Sequence, residues 1–482
     1  MRYHRAPVSL AVCAALALLV GCGGGAVSES DKSPAPSGSS GSGGVPPVPE
    51  AGRGPAAGKG SKDPDDVNGD GYRDLVVPVT PRSDPDEGPG ITHERVGVVF
   101  GSAHGLDPAT RAVYGRGDLG LPPAAASGGD DDNVAADAVT VADLDGDGFP
   151  DFVAPAGGTD VEVGGISMGR NVPYIAWGTP TGPGGAGTKA TPLQLPSGVS
   201  EFGIGIDVRG DFDGDGHPDV AGVSRDTGTV WILYGPFSRS GAPARSGTLP
   251  GADGTLYADA LDPAGKPKVT ALLLHHMDDG EQTSGTLYAD PRTGTGREVR
   301  KGNAYAFGDF DGDGRRDLAI GDDGSRNDEP GSETEAPDVE DSLSVYPGAG
   351  GAPTTYRLPT APAAARTDYG PGGYLAADPD GDGRDGILVA TYDGATLIDG
   401  SERRTVRRRG PARTGGKKIP AKWRHARPYA AADFDADGRD EVVMGWGADA
   451  LFGLYGQRPT HWWITSGASG RDVTSFALTQ GP

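Results

Sequence analysis

Short apolar runs of four to seven residues recur along this chain. They are too brief for packed helices and have the length of buried strands. Most come in pairs. LVVPV (75–79) precedes VGVVFG (96–101), FVAPA (152–156) precedes YIAWG (174–178), and VAGV (220–223) precedes TVWILYG (229–235). LAIG (318–321) precedes LSVYPG (343–348), ILVA (387–390) precedes TLIDG (396–400), and VVMG (442–445) precedes LFGLYG (451–456). A weaker apolar run stands upstream of the later pairs, as AVTVA, TLYA, AYAFG, GYLAA and PYAAA, whereas the first pair has only the polar GSKDPD before it. The pattern predicts repeated antiparallel strands joined by tight turns.

An acidic loop separates the weak run from each pair. It reads DVNGDGYRD (66–74), DLDGDGFPD (143–151), DFDGDGHPD (211–219), DFDGDGRRD (309–317), DPDGDGRDG (378–386) and DFDADGRDE (433–441). A degenerate seventh copy, ALDPAGKPK (260–268), fills the long gap between 211 and 309, with Gly265 aligned to the central glycine and Lys268 to the last aspartate. Seven units of roughly sixty residues each suit four-stranded blades. One blade cannot bury both of its faces, whereas a closed ring can; a solenoid or β-helix would use shorter, more uniform repeats. The predicted fold is therefore all-β, a seven-bladed β-propeller of four-stranded antiparallel blades.

Acids stand at positions 1, 3 and 5 of the six loops, save for Asn68 at position 3 of the first, and would repel one another if left alone. A turn that directs these side chains inward together with the carbonyl of position 7 makes an oxygen cage suited to Ca²⁺, and glycine at position 6 permits the bend. The loops are not EF-hands, which need a bidentate Glu at position 12 between helices. Position 12 here is Val77, Ala154, Gly222, Ile320 or Met444, and a strand-like run follows.

With its downstream WILYGP, EFGIGIDVRGDFDGDGHPDVAGV (201–223) resembles the FG-GAP or VCBS repeat, the unit of the integrin alpha-subunit head propeller and of many bacterial surface proteins. The likeness extends through the other units over 63–482. It implies a calcium loop between the first two strands of each blade, opposite the face that usually binds ligands. It implies ligands Asp66, Asn68, Asp70, the Tyr72 carbonyl and Asp74 in unit 1, and Asp143, Asp145, Asp147, the Phe149 carbonyl and Asp151 in unit 2. Unit 3 offers Asp211, Asp213, Asp215, the His217 carbonyl and Asp219; unit 5 offers Asp309, Asp311, Asp313, the Arg315 carbonyl and Asp317. Unit 6 departs from the pattern, with Asp385 at position 8 and Gly386 at 9, leaving Asp378, Asp380, Asp382 and the Arg384 carbonyl. Unit 7 offers Asp433, Asp435, Asp437, the Arg439 carbonyl and Glu441. Up to six Ca²⁺ are expected. Unit 4, with Ala260, Ala264 and Lys268, is expected to bind none, and Lys268 could pair with Asp262 instead.

Composition agrees with this reading: 83 glycines and only 35% hydrophobic residues favour short strands and turns. The net charge of −24 argues against nucleic acid as a partner and suits a cation binder. Arg2 and Arg5 followed by the apolar Ala6 to Val20 and LVGC (19–22) form a signal peptide, 1–21, of the bacterial lipoprotein type, which implies acylation of Cys22 and a lipid anchor at the outer face of the cell membrane. Cleavage there would leave no partner cysteine for an internal disulfide. Residues 22–62, rich in Gly, Ser and Pro, read as a disordered tether of roughly 35 Å reach. The propeller is assigned to 63–482.

Several features compete for a role. A surplus run, Val473 to Thr479, could supply the missing inner strand of blade 1 and close the ring. Long loops at Thr80 to Glu94, Ala156 to Arg170 and Asp322 to Asp341 lie opposite the metal loops and place a ligand site near blades 1 and 2. The stretch 403–427 holds eleven of the 43 Lys and Arg residues, either gripping an anionic polymer or forming a charged outer edge. Two RGD tripeptides (209–211 and 116–118), the His275-His276 pair and tryptophans 177, 231, 446, 462 and 463 are read as structural. The expected function is a calcium-stabilised, membrane-anchored, non-catalytic binding or adhesion module for an extracellular protein or glycan. The alternative is a glycan-active hydrolase or lyase on the same scaffold.

Overall fold

Val220 and Ala221 are adjacent on one strand, and both are fully buried, because a strand sends successive side chains to opposite faces. Val220 packs with Ala142, Val153 and Ile175 of the preceding sheet, and Ala221 with Leu256, Leu272 and Leu274 of the following one. The same division repeats around the molecule. The computed structural model describes residues 46–49, 52–81, 94–123, 133–163, 166–185, 187–224, 227–251, 254–276, 282–324, 339–360, 373–414, 416–447 and 458–480. Among these are seven four-stranded sheets and one small hairpin, Arg413–Thr414 with Lys417–Lys418. Seven apolar clusters lie one at each junction of neighbouring sheets, so the hydrophobic core is a ring of interfaces. The fold is a seven-bladed propeller.

Blade 3 shows the common plan. Val208–Gly210 is innermost, then Asp219–Val223, Val230–Tyr234 and Arg245–Leu249 outward, all antiparallel. The weak upstream runs of the sequence are the innermost strands, including Gly254–Ala258, Ala304–Gly308, Tyr374–Ala377 and Arg427–Ala432. The paired strong runs are the buried central strands.

Three expectations need correction. The run at Val473 to Thr479 is not one closing strand: Asp472–Ala477 is the outermost strand of blade 7, and only Thr479–Gln480 reaches blade 1, pairing parallel with Thr80 and Pro81. The partner of Glu441–Trp446 is His461–Ser466; LFGLYG lies outside the described residues. In blade 2 the expected loop Ala156 to Arg170 is mostly strand, because Asp151–Val163 and Ile166–Ala176 continue as one long hairpin beyond the sheet.

The segment read as tether is fixed from residue 52 to 62. Gly58 N–H donates to the Asn68 carbonyl (3.1 Å), Lys59 N–H to that of Gly69 (2.9 Å) and Ser61 N–H to that of Gly148 (2.8 Å), while Arg53 pairs with Asp107 (2.8 Å). Gly58 lies so close that a Cβ would stand 2.1 Å from the Gly69 carbonyl carbon. The signal peptide, Cys22 and the tether up to residue 45 lie outside the described residues.

Candidate metal centres

In blades 2 to 7 each loop joins the innermost strand to the next, and in blade 1, whose innermost strand comes from the C-terminus, it leads directly into Leu75–Pro81, so the loops gather on one face. The side chain at position 2 anchors them: Val67, Leu144, Phe212, Phe310 and Phe434 are buried in the interface with the following blade. With position 2 held inward, positions 1 and 3 converge with position 9 in units 2, 5 and 7 and with position 5 in units 3 and 6. Asp143, Asp145 and Asp151 each place an oxygen within 4.8 Å of the others, as do Asp211, Asp213 and Asp215, and Asp309, Asp311 and Asp317. Asp378, Asp380 and Asp382, and Asp433, Asp435 and Glu441, do the same.

Backbone N–H groups shape the cages. The position-1 carboxylate accepts from positions 5 and 6, as Asp66 does from Asp70 (3.0 Å) and Gly71 (2.7 Å), and Asp143 from Asp147 (3.1 Å) and Gly148 (2.9 Å). The position-5 carboxylate accepts from position 7: Asp147 from Phe149 (3.0 Å), Asp215 from His217 (2.8 Å), Asp313 from Arg315 (2.8 Å), Asp382 from Arg384 (2.9 Å), Asp437 from Arg439 (2.9 Å) and Asp70 from Tyr72 (3.2 Å).

Position 9 is a clamp as well as a cage member. Asp151 accepts from Leu144 N–H (2.9 Å) and Gly178 N–H (2.7 Å); Asp74, Asp219 and Asp317 repeat the pair with Val67 and Gly101, Phe212 and Gly235, and Phe310 and Gly348. Glu441 accepts from Phe434 N–H (3.0 Å). These bonds explain the glycine that ends most second runs in the sequence. A Cβ on Gly178 would lie 2.1 Å from the Phe149 carbonyl oxygen, and one on Gly101 2.2 Å from that of Arg73. Gly178→Ala is therefore expected to destabilise the chain by about 1 to 3 kcal/mol through backbone overlap, read as a lowered denaturation midpoint; an unshifted midpoint would refute the clamp.

Burial makes these acids costly without a cation. It pushes Asp151 and Asp219 up to about 8, with neighbouring carboxylates adding to the effect and the N–H bonds opposing it. Glu441 is pushed up to about 7 for the same reason, and Asp66, Asp143, Asp211 and Asp317 are also raised by burial. Arginines meet part of the demand at three loops: Arg239 pairs with Asp145 and Asp147, Arg245 with Asp213, and Arg404 with Asp380 (3.6 Å). The residues fit a divalent cation, and unit 1 gives the plainest sign. Asn68 Oδ1, at ligand position 3, is fully buried and has no hydrogen-bond donor. When bound, the ion would supply the positive charge that lets the carboxylates stay ionised together.

Unit 4 differs from its expected alignment. Asp259 N–H bonds the Ala271 carbonyl, twelve residues on, whereas in blade 3 Gly210 pairs with Asp219, nine residues on. The loop is thus three residues longer, and Lys268 does not occupy the place of the last carboxylate. Nor does it pair with Asp262, which accepts from Ala264 N–H (2.8 Å). Instead this loop clasps unit 3 through backbone and side chain: Lys268 N–H donates to Asp211 Oδ2 (3.2 Å), and Thr270 Oγ1 accepts from Asp211 N–H (2.8 Å).

Position 8 is the functional position that sequence reasoning missed. Asp385 accepts from Asp309 N–H of blade 5 (2.7 Å) and pairs with Arg316 (2.8 Å), which also pairs with Asp259 of blade 4 (2.9 Å). Asp440 accepts from Asp378 N–H of blade 6 (2.8 Å). Arg73 pairs with Asp63, and Arg209 with Asp65. All of these except Asp63 and Asp309 line the loop-side mouth of the central channel, and together they join loop to loop. The signal was present: position 8 is charged in four units (Arg73, Arg316, Asp385, Asp440) and proline in two (Pro150, Pro218).

The remaining candidates are structural. Arg209 and Asp211 of the first RGD are engaged as described; in the second, Arg116 is buried and Asp118 accepts from Gly115 N–H (2.9 Å). His275 is the penultimate residue of the strand Leu272–His276, its Nε2 near the Gly302 carbonyl (3.0 Å), and burial lowers its pKa. Trp446, Trp462 and Trp463 are fully buried, whereas Trp177 and Trp231 are half-buried. In the basic stretch, Glu402–Val406 is the outermost strand of blade 6; Arg407 pairs with Asp393, and Arg408 with Asp472 of blade 7 (2.6 Å).

No protein-family model matches the chain, and no curated protein matches it. Among solved structures it is similar to the V. cholerae biofilm matrix protein Bap1, at 13% identity and a TM-score of 0.26, over 89% of this chain and 84% of that one.

Proposed function

We propose that the chain is a calcium-stabilised propeller of the FG-GAP or VCBS kind, anchored through Cys22 at the outer face of the cell membrane, that binds an extracellular protein or glycan without catalysis. The observation that carries this reading is the set of five loops on one face, each holding three carboxylate oxygens within 4.8 Å of one another. Acids in that number are accounted for by cation binding beside core strands, and the opposite face is left for recognition. A hydrolase or lyase is the second reading, favoured by Asp137 and Asp207, two exposed carboxylates that both line the channel. Incubating the calcium-loaded chain with cell-wall fractions tests both. Retention without soluble product supports the binding module, product release supports the enzyme, and neither retention nor release refutes both.

A further inference from the structure

The innermost strands open, on the face away from the metal loops, into a chamber of about 1460 Å³ walled by blades 2 to 5. It exceeds the roughly 300 to 1,000 Å³ of small-molecule sites and has room for several linked sugar rings. One wall is aromatic. Tyr257, on the innermost strand of blade 4, is 37% exposed although it lies on the channel side of the ring. Its ring rests against Tyr305 of blade 5, with centroids 4.6 Å apart and planes at 36°. Tyr305 is backed in turn by His275 at 4.8 Å, and its hydroxyl donates to the Gly302 carbonyl (2.9 Å). The platform is thus held from behind by Tyr305 and His275, and Tyr257 is partly exposed to the chamber. Around it the chamber wall carries Arg170, Asn171, Asp207 and Thr255. Asp207 stands near enough that its charge adds to burial in raising the Tyr257 hydroxyl.

We infer that this chamber binds a neutral glycan, one sugar ring stacking its C–H face on Tyr257 while its hydroxyls meet the surrounding amide, carboxylate and guanidinium groups. An exposed ring with an apolar face and a polar tip, ringed by side chains of both charge signs and an amide, matches a ligand that is apolar on one face and hydroxyl-rich at its edge. A cationic ligand fits less well. Ammonium recognition places the cation over ring faces, but Tyr257 and Tyr305 cover one another, so no cage stands between them, and Arg170 shares the chamber. The inference rests on the binding-module reading and gives it a ligand class.

The test is native affinity electrophoresis of the calcium-loaded chain through gels containing mannan, arabinoxylan, mixed-linkage β-glucan or dextran, followed by titration with any that retards it. At least one polysaccharide is expected to retard the chain. Tyr257→Ala should weaken that binding about tenfold or more, and Tyr257→Trp should retain it. Because Tyr257 is partly exposed, both variants should keep the parent melting temperature and calcium midpoint. Retardation by none of the four, or undiminished binding by Tyr257→Ala, overturns the inference. Undiminished capture of a wall protein by Tyr257→Ala sinks the glycan chamber and leaves the binding module standing.

Discussion

Stripping divalent cations from the chain with excess EGTA is expected to lower its melting temperature by about 3 to 10 °C at pH 8. The magnitude follows from mass action. A loop with a dissociation constant on the order of 10⁻⁴ to 10⁻³ M contributes about 0.4 to 1.4 kcal/mol at 1 mM free calcium. Six such loops contribute roughly 2 to 8 kcal/mol, and the unfolding entropy of a chain this size converts that to the shift. The position-9 acids tie the effect to the fold itself. Asp151 and its equivalents bond the end of a central strand, so an ionised, uncompensated carboxylate there strains the blade as well as the loop.

The pH dependence of the metal-free chain fixes the sign. Burial raises Asp151 and Asp219 to about 8 and Glu441 to about 7, so the folded state holds protons that the unfolded chain releases nearer pH 4. Their contribution to stability is fully present below the unfolded value and is lost as pH rises through 7 to 8. Metal-free protein should therefore melt lower at pH 8 than at pH 5, and EGTA should matter less at pH 5. Calcium competes with the same protons, so the loaded chain should not show that fall. Thermal melts at the two pH values, with and without calcium, read all four states. An unchanged melting temperature on chelation at pH 8 would remove the metal from the account.

The parts legible in the sequence are those whose determinants lie within one short window. Each cage is written in nine consecutive residues, from Asp143 to Asp151 for example, and the inward position 2 is visible as Phe212, Phe310 or Phe434 between two acids. Strand pairs within a blade follow at near range. What was not legible depends on partners far away or on backbone. The docking of residues 52–62 uses mostly N–H and carbonyl groups, which a Gly-rich composition does not announce. The extra length of loop 4 is concealed because Gly265 and Lys268 align by eye, while the register is set by the Asp259 to Ala271 bond. Position 8 draws its meaning from a neighbouring blade: Asp440 looks like a second acid beside Glu441 until Asp378 of the preceding blade is brought against it.

Deleting residues 471–482 is expected to abolish the cooperative unfolding transition, whereas deleting 479–482 should lower the melting temperature by no more than about 2 °C. The difference separates two ways of closing a ring. Backbone closure amounts to the short parallel pairing of Thr80 with Thr479 and Pro81 with Gln480, and Pro81 has no N–H to give. Such bonds are worth about 1 kcal/mol each. Side-chain closure is much larger. Phe476 is fully buried and stacked on Trp462 at 5.1 Å, and with Leu478 it joins Val443 and Ile464 of blade 7 to Leu75, Val77 and Val79 of blade 1. Loss of a buried Phe and a buried Leu costs about 3 to 5 and 2 to 5 kcal/mol, a total comparable with the roughly 5 to 15 kcal/mol that holds a domain together. The longer deletion also strips His461–Ser466 of its outer partner, leaving a tryptophan-rich strand as an open edge. Equal damage from the two deletions, measured by calorimetry, would mean that the last two paired residues close the ring; the predicted inequality means that blade 7 closes it by packing against blade 1.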